Sequence, residues 1–115
     1  MNKAYLIDAE NRTVTETKIE SWKDIAPKIG CELFTVVNIE KEDALYVDDE
    51  GLLKQPEHFF LYKGYNQPLA GNGLVMGTDE EGDSTDPQNT LEEIKSRITF
   101  MNTVEVVLWS RANNR

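Results

Sequence analysis

Leu33-Phe34-Thr35-Val36-Val37-Asn38-Ile39, then Glu40-Lys41-Glu42-Asp43, then Ala44-Leu45-Tyr46-Val47, is the stretch that sets the fold class. The first seven residues are β-branched, aromatic or long apolar apart from Asn38, a composition suited to a pleated, half-buried surface. Four charged residues interrupt the run, and it resumes behind them. Two such runs across a charged turn read as an antiparallel hairpin.

Working outward toward the N-terminus, Ala4-Tyr5-Leu6-Ile7 and Thr13–Ile19 flank the polar turn Asp8–Arg12 and form a second hairpin. Ser21–Ile29 reads as a short helix, with Ser21 as its N-cap, Asp24 three residues on, and Trp22, Ile25 and Ile29 on one face. Pro27 weakens that helix, because it has no N–H to donate, and Gly30 is placed to stop it. Toward the C-terminus, Asp48-Asp49-Glu50-Gly51 is a turn in which Gly51 supplies a positive φ if one is needed. Pro56–Tyr62 reads as one helical turn carrying Phe59, Phe60 and Tyr62 inward. Lys63–Pro68 has loop composition, and Leu69–Gly73 bends into a core strand at Leu74–Gly77. Thr78–Asn89 is a long polar loop. Thr90 and Glu93 have the spacing of a capping box that opens a helix through about Ile98, with Leu91, Ile94 and Ile98 as its stripe. Thr103–Trp109, rich in valine, reads as a closing strand.

The order β-β-α-β-β-(short α)-β-α-β predicts an α+β fold: a mainly antiparallel sheet of about five to six strands partly covered by one or two helices. At 115 residues the expectation is one domain over residues 1–110, with 111–115 a frayed tail.

Charge is distributed unevenly. Of a net −9, residues 40–93 hold −11, with fourteen acids opposed only by Lys41, Lys54 and Lys63. Thirteen of those acids fall in two blocks, Glu40–Glu50 and Asp79–Glu93. Such a surface disfavours direct binding to phosphate backbones or anionic membranes and favours a partner with a basic surface. The two blocks define a candidate interaction face of Glu42, Asp43, Asp48, Asp49, Glu50, Asp79, Glu80, Glu81, Asp83 and Asp86. Each block also has a plain explanation as turn and helix-start chemistry, so the face exists only if folding brings the blocks together.

No motif assigns a catalytic residue, a cofactor or a metal. The glycines of Leu69–Gly77 precede a strand rather than a helix and lack the lysine of a phosphate-binding loop. Asp79-Glu80-Glu81-Gly82-Asp83 has its glycine fourth rather than sixth, which is the wrong register for a calcium loop. His58, the single histidine, has no nucleophile beside it. A second candidate is a small-ligand pocket, nucleotide-like in its contents, lined by Tyr65, Gly71 and Gly73. A hydrolase working through carboxylates and a divalent ion, and a housekeeping domain whose acidity serves solubility, complete the alternatives. Cys31 stands alone, which predicts no internal disulfide, a buried structural thiol and a reducing compartment. An acid at Asp8 and the lack of any apolar run near ~18 residues predict neither a signal peptide nor a membrane span, hence a cytoplasmic protein.

Several segments together resemble a family of small, functionally uncharacterised proteins found in bacteria and on phages and plasmids. They are Tyr5-Leu6-Ile7-Asp8, Gly30-Cys31-Glu32-Leu33-Phe34, Tyr46-Val47-Asp48-Asp49-Glu50-Gly51-Leu52-Leu53, Gln67–Val75 and Gly77–Asp83. The resemblance spans roughly residues 4–100. It implies a compact domain in a mobile-element setting and brings no catalytic or binding residue with it. The expectation is a small acidic, non-enzymatic interaction protein, an accessory or anti-defence factor whose acidic face meets a basic surface on a host protein. In the sharpest form it mimics a nucleic acid.

Overall fold

β1 (Asn2–Asp8) and β2 (Thr13–Ile19) pair antiparallel along their whole length, from Asn2 opposite Ile19 to Asp8 opposite Thr13. The computed structural model describes residues 2–113. After this hairpin, Ser21 caps a 3₁₀ turn at Trp22–Asp24, and α1 (Ile25–Ile29) follows, closed by Gly30 at φ +86°. β3 (Phe34–Asn38) and β4 (Ala44–Asp48) form the expected second hairpin, with Val36 opposite Tyr46. Then come β5 (His58–Tyr62), β6 (Leu69–Ala70), β7 (Gly73–Thr78), β8 (Ser84–Thr85), α2 (Leu91–Ser96), β9 (Ile98–Asn102) and α3 (Thr103–Asn113).

The fold is α+β and mainly antiparallel. The larger sheet runs β2-β1-β7-β4-β3, with β8 added to the end of β7. A second sheet runs β6-β5-β9. β7 lies between β1 and β4, and Leu74, Val75 and Met76 are fully buried. Because alternate residues face opposite ways, the two faces of the larger sheet bury different partners. Leu74, Met76, Ala4 and Ile19 pack on Ile25 and Ile29 of α1. Tyr5, Ile7, Leu45, Val47 and Val75 pack on Phe60 and Tyr62 of the second sheet and Ile94 of α2. Two glycines in β7 are set by close approach. The Phe60 ring stands 2.8 Å from where a Cβ on Gly73 would be, and the Asp86 carbonyl closes the space over Gly77.

Expectations are corrected at five places in the chain. Trp22 is 70% exposed and shares no face with Ile25 and Ile29, because the α-helical repeat begins only at Ile25. Gly51 needs no positive φ; it opens a 3₁₀ turn, Gly51–Lys54, and is small because the Ala70 carbonyl lies 3.0 Å from its would-be Cβ. Pro56–Tyr62 is not a helical turn. It carries strand β5, whose two faces are both covered: Phe60 and Tyr62 by the larger sheet, Phe59 by Ala70, Met101, Val106 and Trp109. A strand buried on both sides has no alternation to read and so resembles a buried helical turn.

The fourth correction is at the end of the chain. α2 stops at Ser96, and Ile98 belongs to β9, opposite Tyr62. Thr103–Trp109 is helix rather than strand, because Asn102 and Glu105 form a reciprocal cap: the Asn102 amide donates to Glu105 Oε1 at 3.0 Å and the Glu105 amide to Asn102 Oδ1 at 2.8 Å. That local closure outweighs the modest helix penalty of the valines. Fifth, Arg111–Asn113 continue α3 instead of fraying, while Asn114 and Arg115 lie outside the described residues.

Candidate interaction face

The sheet decides whether the two acidic blocks meet. β4 runs antiparallel to β7, with Ala44 opposite Met76 and Val47 opposite Gly73. The start of β4 therefore adjoins the end of β7, where the Asp79–Asp83 segment emerges. The end of β4 lies at the opposite rim, roughly 13 Å away at about 3.3 Å per residue. One pole holds Glu42, Asp43, Asp79, Glu80, Glu81, Asp83 and Asp86; the other holds Asp48, Asp49 and Glu50. The ten acids do not form one face.

At the first pole the residues divide again. Asp43 is fully buried and accepts from the Gln88 amide at 2.8 Å, the Asn89 amide at 2.9 Å and Asn89 Nδ2 at 2.8 Å. It is removed from any interaction face, because a carboxylate with no exposure has no partner surface to meet. Asp86 Oδ1 accepts from the Lys3 amide at 2.7 Å and fastens the loop to β1. Asp79 organises the tip: its Oδ1 accepts from the Glu81 and Asp83 amides, each at 2.9 Å. Its own amide donates to the Asp83 carbonyl at 2.9 Å. Glu42, Glu80, Glu81 and Asp83 remain exposed, and among the described residues none of them makes an ion pair.

At the second pole Asp48 is nearly covered, holds Lys54 Nζ at 2.8 Å and accepts from the Glu50 amide at 2.9 Å. It borders a cleft of about 260 Å³ that also touches Glu10, Lys54, Glu57, His58 and Gly71. Gly71 is the only one of the three expected pocket residues to line this cleft. Tyr65 packs against the main core and donates its amide to the Tyr62 carbonyl at 2.9 Å. Gly73 is covered by the Phe60 ring. Tyr65, Gly71 and Gly73 therefore do not converge. Cys31 is half-buried beside the α1 cluster, and burial pushes its thiol up, which disfavours the reactive thiolate.

A polar network that the sequence reading did not single out ties the first pole together. Arg97 donates to Asn89 Oδ1 at 2.8 Å and to the Tyr62 hydroxyl at 3.3 Å. Tyr62 donates to Glu40 Oε1 at 2.8 Å, and Lys41 Nζ donates to both Glu93 oxygens at 3.1 and 3.0 Å. Burial pushes the Tyr62 hydroxyl up to about 12. The Thr90 amide and Lys41 hold Glu93 down at about 2. Burial alone would raise Glu40, but backbone hydrogen bonding, Tyr62 and Arg97 outweigh it and lower the carboxyl. Every charge here is fixed by a partner, so the network acts as a clamp between the turn joining β3 to β4, the loop before α2, α2 itself, and β5. Only Thr90-x-x-Glu93 was visible in the sequence, through its capping spacing.

Among the described residues no three His, Cys, Asp or Glu side chains are grouped to hold a metal ion, and no helix is long and apolar enough to cross a membrane.

Comparison with known proteins matches residues 1–99 to a family described as a domain of unknown function, DUF3846. A curated relative, "Uncharacterized protein y4iR" of Sinorhizobium fredii (strain NBRC 101917 / NGR234), is 30% identical over 89 residues, which cover 75% of this chain and 53% of that protein. The chain thus spans about half the length of that relative. No solved structure matches. The extent of the family match, which takes in both hairpins, β7, the acidic tip and α2, places the chain in the DUF3846 family.

Proposed function

We propose that this domain is a non-enzymatic interaction module that engages a basic protein surface through the pole formed by Glu42 and the Asp79–Asp83 tip. The observation that carries the reading is the tip itself. Its backbone is closed by Asp79, while Glu80, Glu81 and Asp83 stand exposed and make no ion pair among the described residues. A preordered, unneutralised carboxylate cluster attracts a cationic patch at little ordering cost and speeds encounter. Asp48, Asp49 and Glu50 lie at the other rim and take no part. The setting we favour is cytoplasmic, as an accessory of a mobile element that acts on a host protein.

The test is capture of a partner from host lysate at low and high salt, with the intact chain and with the variant E80K/E81K/D83K. Capture should weaken steeply with salt and be lost in the variant, while D49K/E50K behaves like the parent. Salt-insensitive capture, or capture that survives reversal of the tip, would overturn the reading.

The small-ligand reading moves from Tyr65, Gly71 and Gly73 to the cleft beside His58, whose volume of about 260 Å³ falls just below the usual range for ligand sites. A thermal shift with a panel of nucleotides, lost on H58A, would support it.

A further inference from the structure

The larger sheet ends in two edge strands, β2 and β3, and they are protected differently. β2 carries Glu16 and Lys18. β3, Phe34-Thr35-Val36-Val37-Asn38, has no charge and no proline, and its register against β4 is unbroken. Folded proteins usually blunt such an edge with charge, proline or a bulge, because its free amides and carbonyls accept another strand. Here Val36 is 47% exposed and Leu33, just before the strand, 57%.

The hydrogen bonds show which groups are free. The Ile39 amide donates to the Asp43 carbonyl and the Asp49 amide to the Leu33 carbonyl, each at 3.0 Å. Leu33 and Ile39 are thus bonded toward β4, and by alternation so are Thr35 and Val37. The N–H and C=O groups of Phe34, Val36 and Asn38 point to the open side.

What lies at the ends of this edge selects the occupant. Glu32 is exposed at one end; at the other stand Glu42, exposed, and Glu40, half exposed although it accepts from Tyr62 and lies 3.5 Å from Arg97. An antiparallel pairing of two copies centred on Val36 would set Glu32 of each against Glu40 of the other. That arrangement sets one pair of like charges at each end of the joined strands, on two molecules of −9 each. The same flanks complement a chain with basic residues at both ends. Resting on the interaction reading above, we propose that the β3 edge takes up an extended segment of a partner protein as an added strand. The segment is β-branched in its middle, carries Lys or Arg at both ends, and is about nine residues long, to span Glu32 to Glu40.

Fluorescence anisotropy tests this with the full chain and a labelled synthetic peptide, Arg-Lys-Val-Thr-Val-Thr-Val-Lys-Arg. Two control peptides replace its four basic residues by Glu or N-methylate its alternate amides. On the protein side V36P removes an N–H that faces outward and no bond to β4, a position where an edge strand tolerates proline. The basic peptide should bind the parent chain, and V36P or either control peptide should weaken binding about tenfold or more. Equal binding of the N-methylated peptide to the parent chain overturns the proposal even if V36P fails to fold. Self-association seen by ultracentrifugation and abolished by V36P would assign the edge to a second copy and overturn it too. In lysate capture, loss with E80K/E81K/D83K but not with V36P would sink the edge proposal and leave the acidic pole standing. Loss with V36P alone would do the reverse.

Discussion

The carboxylate of Asp43 accepts from two backbone amides and one side-chain amide with no exposure to water. Removing its charge while keeping its size places an NH₂ group against donors, and a buried donor left unpaired costs more than the net worth of the bond it replaces. Asp43→Asn, or Asn89→Ala, should therefore destabilise the chain by roughly 2–4 kcal/mol, seen as a lower urea midpoint at unchanged slope. Glu93 offers a different check. Its folded pKa of about 2 is below its ordinary 4.5, so its contribution is present above about 4.5 and fades as pH falls toward 2. Glu93→Gln should flatten that acid limb of the melting temperature and leave the limb above pH 5 parallel to the parent's. The role of Asp43 was not legible beforehand. In the sequence Asp43 sits among Glu40, Glu42 and Asp48 as one acid of a block, and burial is the only property that separates it from them. Glu93 was legible, because Thr90 stands three residues before it and capping spacing is local.

At the scale of elements, legibility followed the range of the interaction that forms each piece. Both hairpins are set by neighbours in sequence: Thr13–Ile19 folds back on Asn2–Asp8, and Ala44–Asp48 on Phe34–Asn38. β5 and β9 pair residues far apart, His58 with Asn102 and Tyr62 with Ile98, and both were misread. α3 is the instructive failure. Its sequence has no apolar stripe to read: Val104, Val107 and Leu108 are exposed, while Val106 and Trp109 pack on Phe59 and Met101. Its signal was Asn102-x-x-Glu105, a cap in front of a valine-rich run. If that cap holds the helix, Asn102→Ala should cost about 1 kcal/mol and lower the helical circular dichroism. An undiminished spectrum would show that packing of Val106 and Trp109 suffices alone. Glu105 also holds Arg12 at 2.9 Å, so Glu105→Ala should loosen the β1–β2 turn as well as the helix.

For the whole molecule, the decisive fact is that charge asymmetry along the chain becomes a separation in space. Antiparallel pairing of β4 with β7 sends Asp48–Glu50 to one rim and Asp79–Asp83 to the other. No property of either block announces this; it follows from the position of β7 between β1 and β4. The separation also predicts two opposite responses to one chemical change. Glu80 and Glu81 are exposed beside Asp79 and Asp83, and at a net charge of −9 they add repulsion that the fold must overcome. Neutralising them should relieve it. Glu80→Gln with Glu81→Gln should leave the melting temperature equal to or above that of the parent, and the rise of melting temperature with added salt should shrink. Asp43→Asn, which removes a charge of the same sign at the same pole, should lower the melting temperature at every salt concentration. A lower melting temperature in the Gln pair would mean that the tip carboxylates hold structure rather than face a partner, and the interaction reading would lose its carrying observation.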